Sequence, residues 1–275
     1  MKKPWYQQPI TTVTTYSDLM TLFQELGLQE QDTCLVHTSL SAFGFIPGGE
    51  QTLIAALKAS LAKGNIAMPA QSSDLSDPHE WINPPVQADH QDQVMAALPG
   101  FDRELTPCHL IGALPEYFRN LPDTQRSGHP TCSMTAWGAQ AEHICETTTY
   151  DLPFGAQGPL QKLYDLNAKV LFLGTDFETG TAIHLAESTL PRPVFEERAP
   201  VQTAGQKQWV SFKMVELEPY DDFNEMGAQF LAARPGSVRQ AAIGNDRTAL
   251  VFSMRDLVDF AHEYYRQRDI AEGLN

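Results

Sequence analysis

The chain has 275 residues with 19 Lys and Arg against 34 Asp and Glu, a formal net charge of −15. That excess repels phosphate backbones and anionic headgroups, which argues against nucleic-acid and membrane partners and favours a cationic small molecule, with acidity for solubility alone as the plain alternative. The 42% hydrophobic content supports a large buried core. No apolar run follows Lys2 and Lys3 and no stretch approaches the twenty apolar residues of a membrane span, so a cytoplasmic location is expected.

Ser17, a good N-cap, precedes Leu19, Leu22, Phe23 and Leu26 at helical spacing, and Gly27 supplies a stop, which predicts a short helix. CLVHTSL (34–40) reads as a buried strand running into a polar loop. Gly48 and Gly49 then open a second helix through Leu53, Leu57 and Leu61, closed by Gly64. NIAMPA (65–70) and AKVLFLG (168–174) are short apolar runs closed by Pro or Gly, as interior strands are. Between them, 71–105 is rich in turn residues and reads as a long irregular loop in contact with substrate. KQWVSFKMVEL (207–217) alternates with partial period two, as a strand near an edge. DDFNEMGAQFL carries Phe223, Met226 and Phe230 on one helical face, AAIGNDRTALVF reads as a hairpin, and a last amphipathic helix runs through Leu257, Val258, Ala261 and Tyr265. Without an internal repeat or linker, residues 1–275 read as one α/β domain, a central mixed sheet flanked by helices with long inserted loops.

Four segments place hydroxyls, histidines or carboxylates where strands meet loops: VHTSLSAFGFIPGGEQTLIAAL, MPAQSSDLSDPHEW, SGHPTCSMTAWG and LGTDFETGTAIHLAES. Together, in this order and over roughly residues 12–265, they resemble the aminoglycoside 3-N-acetyltransferase family. The resemblance implies that family's α/β fold, which differs from the GCN5-related acetyltransferase fold. It also implies acetyl transfer from acetyl-coenzyme A to the 3-amino group of a 2-deoxystreptamine aminoglycoside, hence antibiotic resistance, with no metal.

The residues themselves fit that chemistry. An aminoglycoside amine is largely protonated at neutral pH, so a base must free its lone pair before it attacks a thioester. His184, on the histidine of the family's LHxAE segment, is the candidate general base. Glu187 lies three residues on and can share its helix face to orient the imidazole; an ordinary helix-surface ion pair is the alternative. Asp221, Asp222 and Glu225 fall where relatives carry carboxylates facing the substrate. Asp74 and Asp77 are further candidates for its ammonium groups, against N-capping or Asx turns.

On the donor side, His37, Thr38, Ser39 and Ser41 leave a strand end where backbone amides can steady an oxyanion, and Thr38 stands where the family often has serine. Gly48 and Gly49 can present amides to phosphate at a helix start. Arg126, Ser127 and His129 are candidate coenzyme contacts, with a rigid loop corner at His129-Pro130 as the alternative.

Cys34, Cys108, Cys132 and Cys145 form no C-x-x-C pair and none sits in the nucleophile context of the arylamine acetyltransferases, which favours reduced thiols and direct transfer over an acyl-cysteine intermediate. Three other readings stay open. They are the same chemistry on a non-antibiotic amine, a non-catalytic binder of polyamines, and a metal-assisted hydrolase, the last weakened by the lack of ligand spacing among the eight histidines. No Lys or Arg occurs between Lys63 and Arg103, Arg126 and Lys162, Lys169 and Arg192, or Lys213 and Arg234, which suggests an acidic cleft. Oligomeric state is not legible.

Overall fold

A computed structural model of the chain describes residues 9–244 and 246–274. The first half supplies helix α1 (Tyr16–Glu25), strand β1 (Thr33–Thr38), α2 (Gly49–Ser60), β2 (Asn65–Pro69), α3 (Gln91–Ala97), α4 (Ala113–Arg119), β3 (Thr124–Arg126) and β4 (Met134–Gly138). The second half supplies α5 (Ala141–Cys145), α6 (Pro159–Asp165), β5 (Lys169–Leu173), α7 (Ile183–Glu187), β6 (Val194–Thr203), β7 (Gln206–Val215), α8 (Phe223–Ala233), β8 (Arg239–Ile243), β9 (Arg247–Ser253) and α9 (Met254–Glu272).

Among the described residues seven strands form one sheet in the order β3-β4-β2-β1-β5-β9-β8. The central β2, β1 and β5 run parallel and the outer pairs antiparallel, which makes the sheet mixed as expected. The strand periodicity of two sends alternate residues to opposite faces. On β1, Leu35 joins Phe172, Ile183, Met226, Phe230 and Leu257 in one core, while Cys34 and Val36 join Leu19, Phe23, Leu53, Leu57 and Phe118 in another. Helices therefore cover both faces. The carboxyl ends of β2, β1 and β5 share one edge, the usual address of a ligand site in such a sheet.

Local chemistry shifts several predicted boundaries. Helix α1 is capped by Thr15 rather than Ser17, because Thr15 Oγ1 accepts from the Asp18 amide while the Asp18 carboxylate accepts from the Thr15 amide at 2.8 Å, a reciprocal capping box. Strand β1 ends at Thr38, and Leu40–Phe43 makes a 3-10 turn. The 71–105 stretch is not wholly irregular, since it holds α3 and two short 3-10 turns. The segment predicted as a near-edge strand is β7, which pairs only with β6 in a separate two-stranded ribbon.

Candidate active site

At the shared edge of β1, β2 and β5 lies a cavity of about 560 Å³. Its floor is the exit of β1, with His37, Thr38 and Ser39. Gln71 follows β2, and Leu110, Ile111 and Gly112 lead into α4. The far wall is the segment between β5 and α7, with Thr175, Glu178, Thr179 and Thr181, followed by His184 on α7 and Glu218 between β7 and α8. Among the described residues the lining contains two carboxylates and neither Lys nor Arg.

His184 sits between those carboxylates' surroundings and the core. Its Nδ1 lies 3.0 Å from Glu187 Oε2 and its Nε2 lies 3.3 Å from Glu218 Oε1, while the ring packs against Phe154 and Phe223. Because Arg192 and the Glu218 amide donate to the other oxygen of Glu187, the hydrogen bonding suits the tautomer in which Nδ1–H donates to Glu187 and Nε2 faces the cavity beside Glu218. The second oxygen of Glu187 accepts from Arg192 Nη1 at 2.7 Å and from the Glu218 backbone amide at 2.8 Å. Arg192 in turn makes a bidentate pair with Asp269, and Tyr220 donates to the same carboxylate. Burial works against the Arg192 charge, but its hydrogen bonds to Asp269 and Glu187 outweigh it and hold the guanidinium above its ordinary pKa.

Burial pushes the Glu218 carboxyl upward; the His184 charge opposes this, and repulsion from Glu187, Glu178 and Asp221 adds to it. Burial, helped by His184, depresses His37 to about 3, so that imidazole stays neutral. His37 Nε2 and Thr38 Oγ1 are buried with no hydrogen-bond partner among the described residues.

The remaining predicted residues are placed elsewhere. Ser41 meets Ser39 Oγ at 3.1 Å but does not line the cavity, and Gly48 and Gly49, both at positive φ, form the start of α2 outside it. Arg126 is buried, donating to the carbonyls of Ala70 and Thr106 and to Ser133 Oγ, and burial lowers it to about 10. Ser127 Oγ accepts from the Met134 amide. His129 Nδ1 accepts from the Cys132 amide while Nε2 donates to the Tyr150 carbonyl, and burial pushes this imidazole down to about 4. These contacts make a loop corner.

Asp74 faces His109 at 3.6 Å, next to the cavity-lining Leu110. Asp77 accepts from His79 and from Arg198 of β6. Burial works to raise its carboxyl, yet these hydrogen bonds hold it below the ordinary carboxylate range. Asp222 is taken by the hydroxyls of Tyr264 and Tyr265 and by Arg268, while Asp221 and Glu225 are exposed beyond the lining. Thus the cavity brings together His37, Thr38, Ser39 and His184 from the predicted set, with Glu187 directly behind, and adds Glu178 and Glu218, which sequence reasoning missed. Glu178 lies inside a quoted motif, but Glu218 lies in none.

The sequence profile of the family described as aminoglycoside 3-N-acetyltransferase matches residues 35–266. The SPbeta prophage-derived aminoglycoside N(3')-acetyltransferase-like protein YokD of Bacillus subtilis (strain 168) is 36% identical over 247 residues, covering 89% of each chain. The crystal structure of the Bacillus subtilis YokD protein superposes with a TM-score of 0.89 over 94% of this chain and 96% of that one. Aminoglycoside N(3)-acetyltransferase VII of Streptomyces paromomycinus is 29% identical, covering 94% of this chain and 93% of its own. Two further solved structures share the fold. AAC-IIIb binary with CoASH has a TM-score of 0.81 and 27% identity, covering 94% and 98% of the two chains. AAC-VIa bound to sisomicin has 0.82 and 25%, covering 94% and 99%. The cavity, the four ordered motifs and these likenesses agree: the chain belongs to the aminoglycoside 3-N-acetyltransferase family.

Proposed function

We propose that this enzyme transfers acetyl directly from acetyl-coenzyme A to the 3-amino group of a 2-deoxystreptamine aminoglycoside, with His184 as general base and antibiotic resistance as the consequence. The observation that carries the reading is the cavity-facing Nε2 of His184, held by a buried carboxylate on its other nitrogen, in a lining that among the described residues holds no Lys or Arg. Nε2 takes a proton from the acceptor ammonium and passes it to solvent, the freed nitrogen attacks the thioester carbonyl carbon, Nε2 takes the second nitrogen proton as the N–C bond forms, and the C–S bond breaks as the imidazolium gives that proton to the departing thiolate, leaving a neutral amide. Glu218 and Glu178 supply the negative charge that receives the ammonium. The exit of β1 receives the thioester, where the Thr38 hydroxyl, buried and unpartnered, is free to donate to its oxygen. The CoASH and sisomicin complexes of the two relatives support the same ligand classes here.

The test is thiol release from acetyl-coenzyme A across a panel of aminoglycosides, with the acetylated position read by NMR. Release with none of them and with no smaller amine would remove the activity. A smaller, non-antibiotic amine is the second reading, favoured because Asp77 and Asp222 are consumed by internal partners and leave few carboxylates for a polycation; the panel therefore includes monoamino and diamino compounds.

Two expected outcomes accompany this. Burial pushes the thiols of Cys34, Cys132 and Cys145 up to about 12 and that of Cys108 to about 11, so none is a ready nucleophile. Replacing all four by Ala should leave kcat within about threefold of the parent once folding is verified, and a folded but inactive variant would sink direct transfer. Because the lining is acidic, acceptor KM should rise more steeply with ionic strength than donor KM. A flat acceptor response would return the charge of −15 to a solubility role.

A further inference from the structure

Behind His184 runs a chain of charges that leaves the surface altogether. The side chains of Glu187, Arg192 and Asp269 have no exposed area. Arg192 spans the two carboxylates, at 2.7 Å from Glu187 and at 2.8 and 3.0 Å from Asp269, and its guanidinium lies over the rings of Tyr265 and Tyr220. One cation therefore serves two buried anions. With His184 neutral, Glu187, Arg192 and Asp269 sum to one negative charge, and a proton on the imidazole brings the group to zero. Unbalanced charge in a buried setting is expensive, so that balance bears on how tightly the imidazole holds its proton.

From this geometry we infer that Asp269, on the C-terminal helix α9 and with no exposed side-chain area, is a positioning residue that sets the basicity of His184 through Arg192 and Glu187. The inference rests on His184 being the base. The other charged or titratable groups around His184 are Glu218 and His37, with Glu178 and Asp221 acting on Glu218. Around Glu187 and Arg192 they are Tyr220 and Tyr265, and Tyr265 belongs to the neighbouring cluster of Asp222, Tyr264 and Arg268. That cluster has its own cation in Arg268, which also lies 4.2 Å over the ring of Tyr220, the tyrosine that donates to Asp269, so Tyr220 joins the two groups.

Neutralising Asp269 leaves Glu187 and Arg192 balanced without the imidazole proton, so His184 becomes a weaker base. In the full chain, Asp269→Asn should move the acid limb of kcat/KM down by about one pH unit and lower kcat by roughly threefold to tenfold. The imidazole NMR signals of His184, including the Nδ1–H bonded to Glu187, should change with pH over the same displaced range. Arg192→Lys keeps every charge and should leave the limb within about 0.3 pH unit, even though the bidentate contact is lost.

If neither the limb nor the imidazole signals move in folded Asp269→Asn, the inference is overturned and the helix is only being held in place. A limb that moves with Arg192→Lys overturns it as well, independently of whether Asp269→Asn folds. Imidazole signals that move while the limb stays would uphold the charge relay and remove His184 as the base.

Discussion

Replacing His184 by Ala should lower kcat/KM for acetyl transfer by about two to four orders of magnitude, the range general-base catalysis supplies, while coenzyme A binding stays close to the parent and the melting temperature falls, since the ring packs on Phe154 and Phe223 and bonds buried Glu187. The reason lies in the imidazole's two nitrogens. Nδ1 is committed to Glu187 and Nε2 faces the cavity beside Glu218, so the imidazole is oriented from behind by a buried carboxylate. His37 is no substitute, since burial depresses it to about 3 and makes it a poor base near neutrality. Calorimetry with coenzyme A separates lost chemistry from lost binding. Full activity in the variant would take His184 out of the mechanism. Activity should return at high pH if the acceptor amine deprotonates by itself, so the deficit is expected to shrink as pH rises toward the amine's own pKa.

Arg192→Met should cost about 3–5 kcal/mol of stability, because it leaves the carboxylates of Glu187 and Asp269 buried without their shared cation. Against a typical total of about 5–15 kcal/mol that is a large fraction. The sign with pH follows from linkage. In the variant both carboxylates favour their neutral forms in the folded state, so their folded pKa values rise above the unfolded ones. The folded state is penalised once pH exceeds the unfolded carboxylate range, and the gap between variant and parent should widen from pH 5 to pH 8. Urea unfolding at the two pH values measures it, and a gap that does not change would mean the carboxylates find other partners.

The interior strands of the sheet were legible because β1, β2 and β5 are apolar runs buried on both faces, while their parallel direction emerges only from the pairing. The ribbon was half legible. Strand β7 alternates, but β6 places Glu196, Glu197 and Arg198 in succession ahead of Pro200, which hides its period until pairing with β7 is seen. At the site, spacing alone fits a surface ion pair equally well; His184 could be found because its segment resembles the family's LHxAE, and Glu187 because one turn of helix sets it on the same face. The acidic partners could not. Sequence points to the run at 221–225, whereas Asp222 sits at the entry of α8, where α9 offers it Tyr264, Tyr265 and Arg268. Glu218, outside every motif, reaches His184 only through the path from β7 to α8, and its backbone, at positive φ, is held by Glu187. Arg192 and Asp269 are 77 residues apart, a separation no local pattern reports.

The ribbon also bears on how freely the 71–105 segment can move. Arg198 of β6 grips Asp77, and Val201 pairs with Phe101, so both ends of the segment are tied to the ribbon. Of these residues Gln71 lines the cavity, which places the pinned stretch beside the site rather than across it. A loop fastened at two points opens only with what it is fastened to, so hydrogen exchange along 71–105 should follow that of the ribbon instead of running ahead of it.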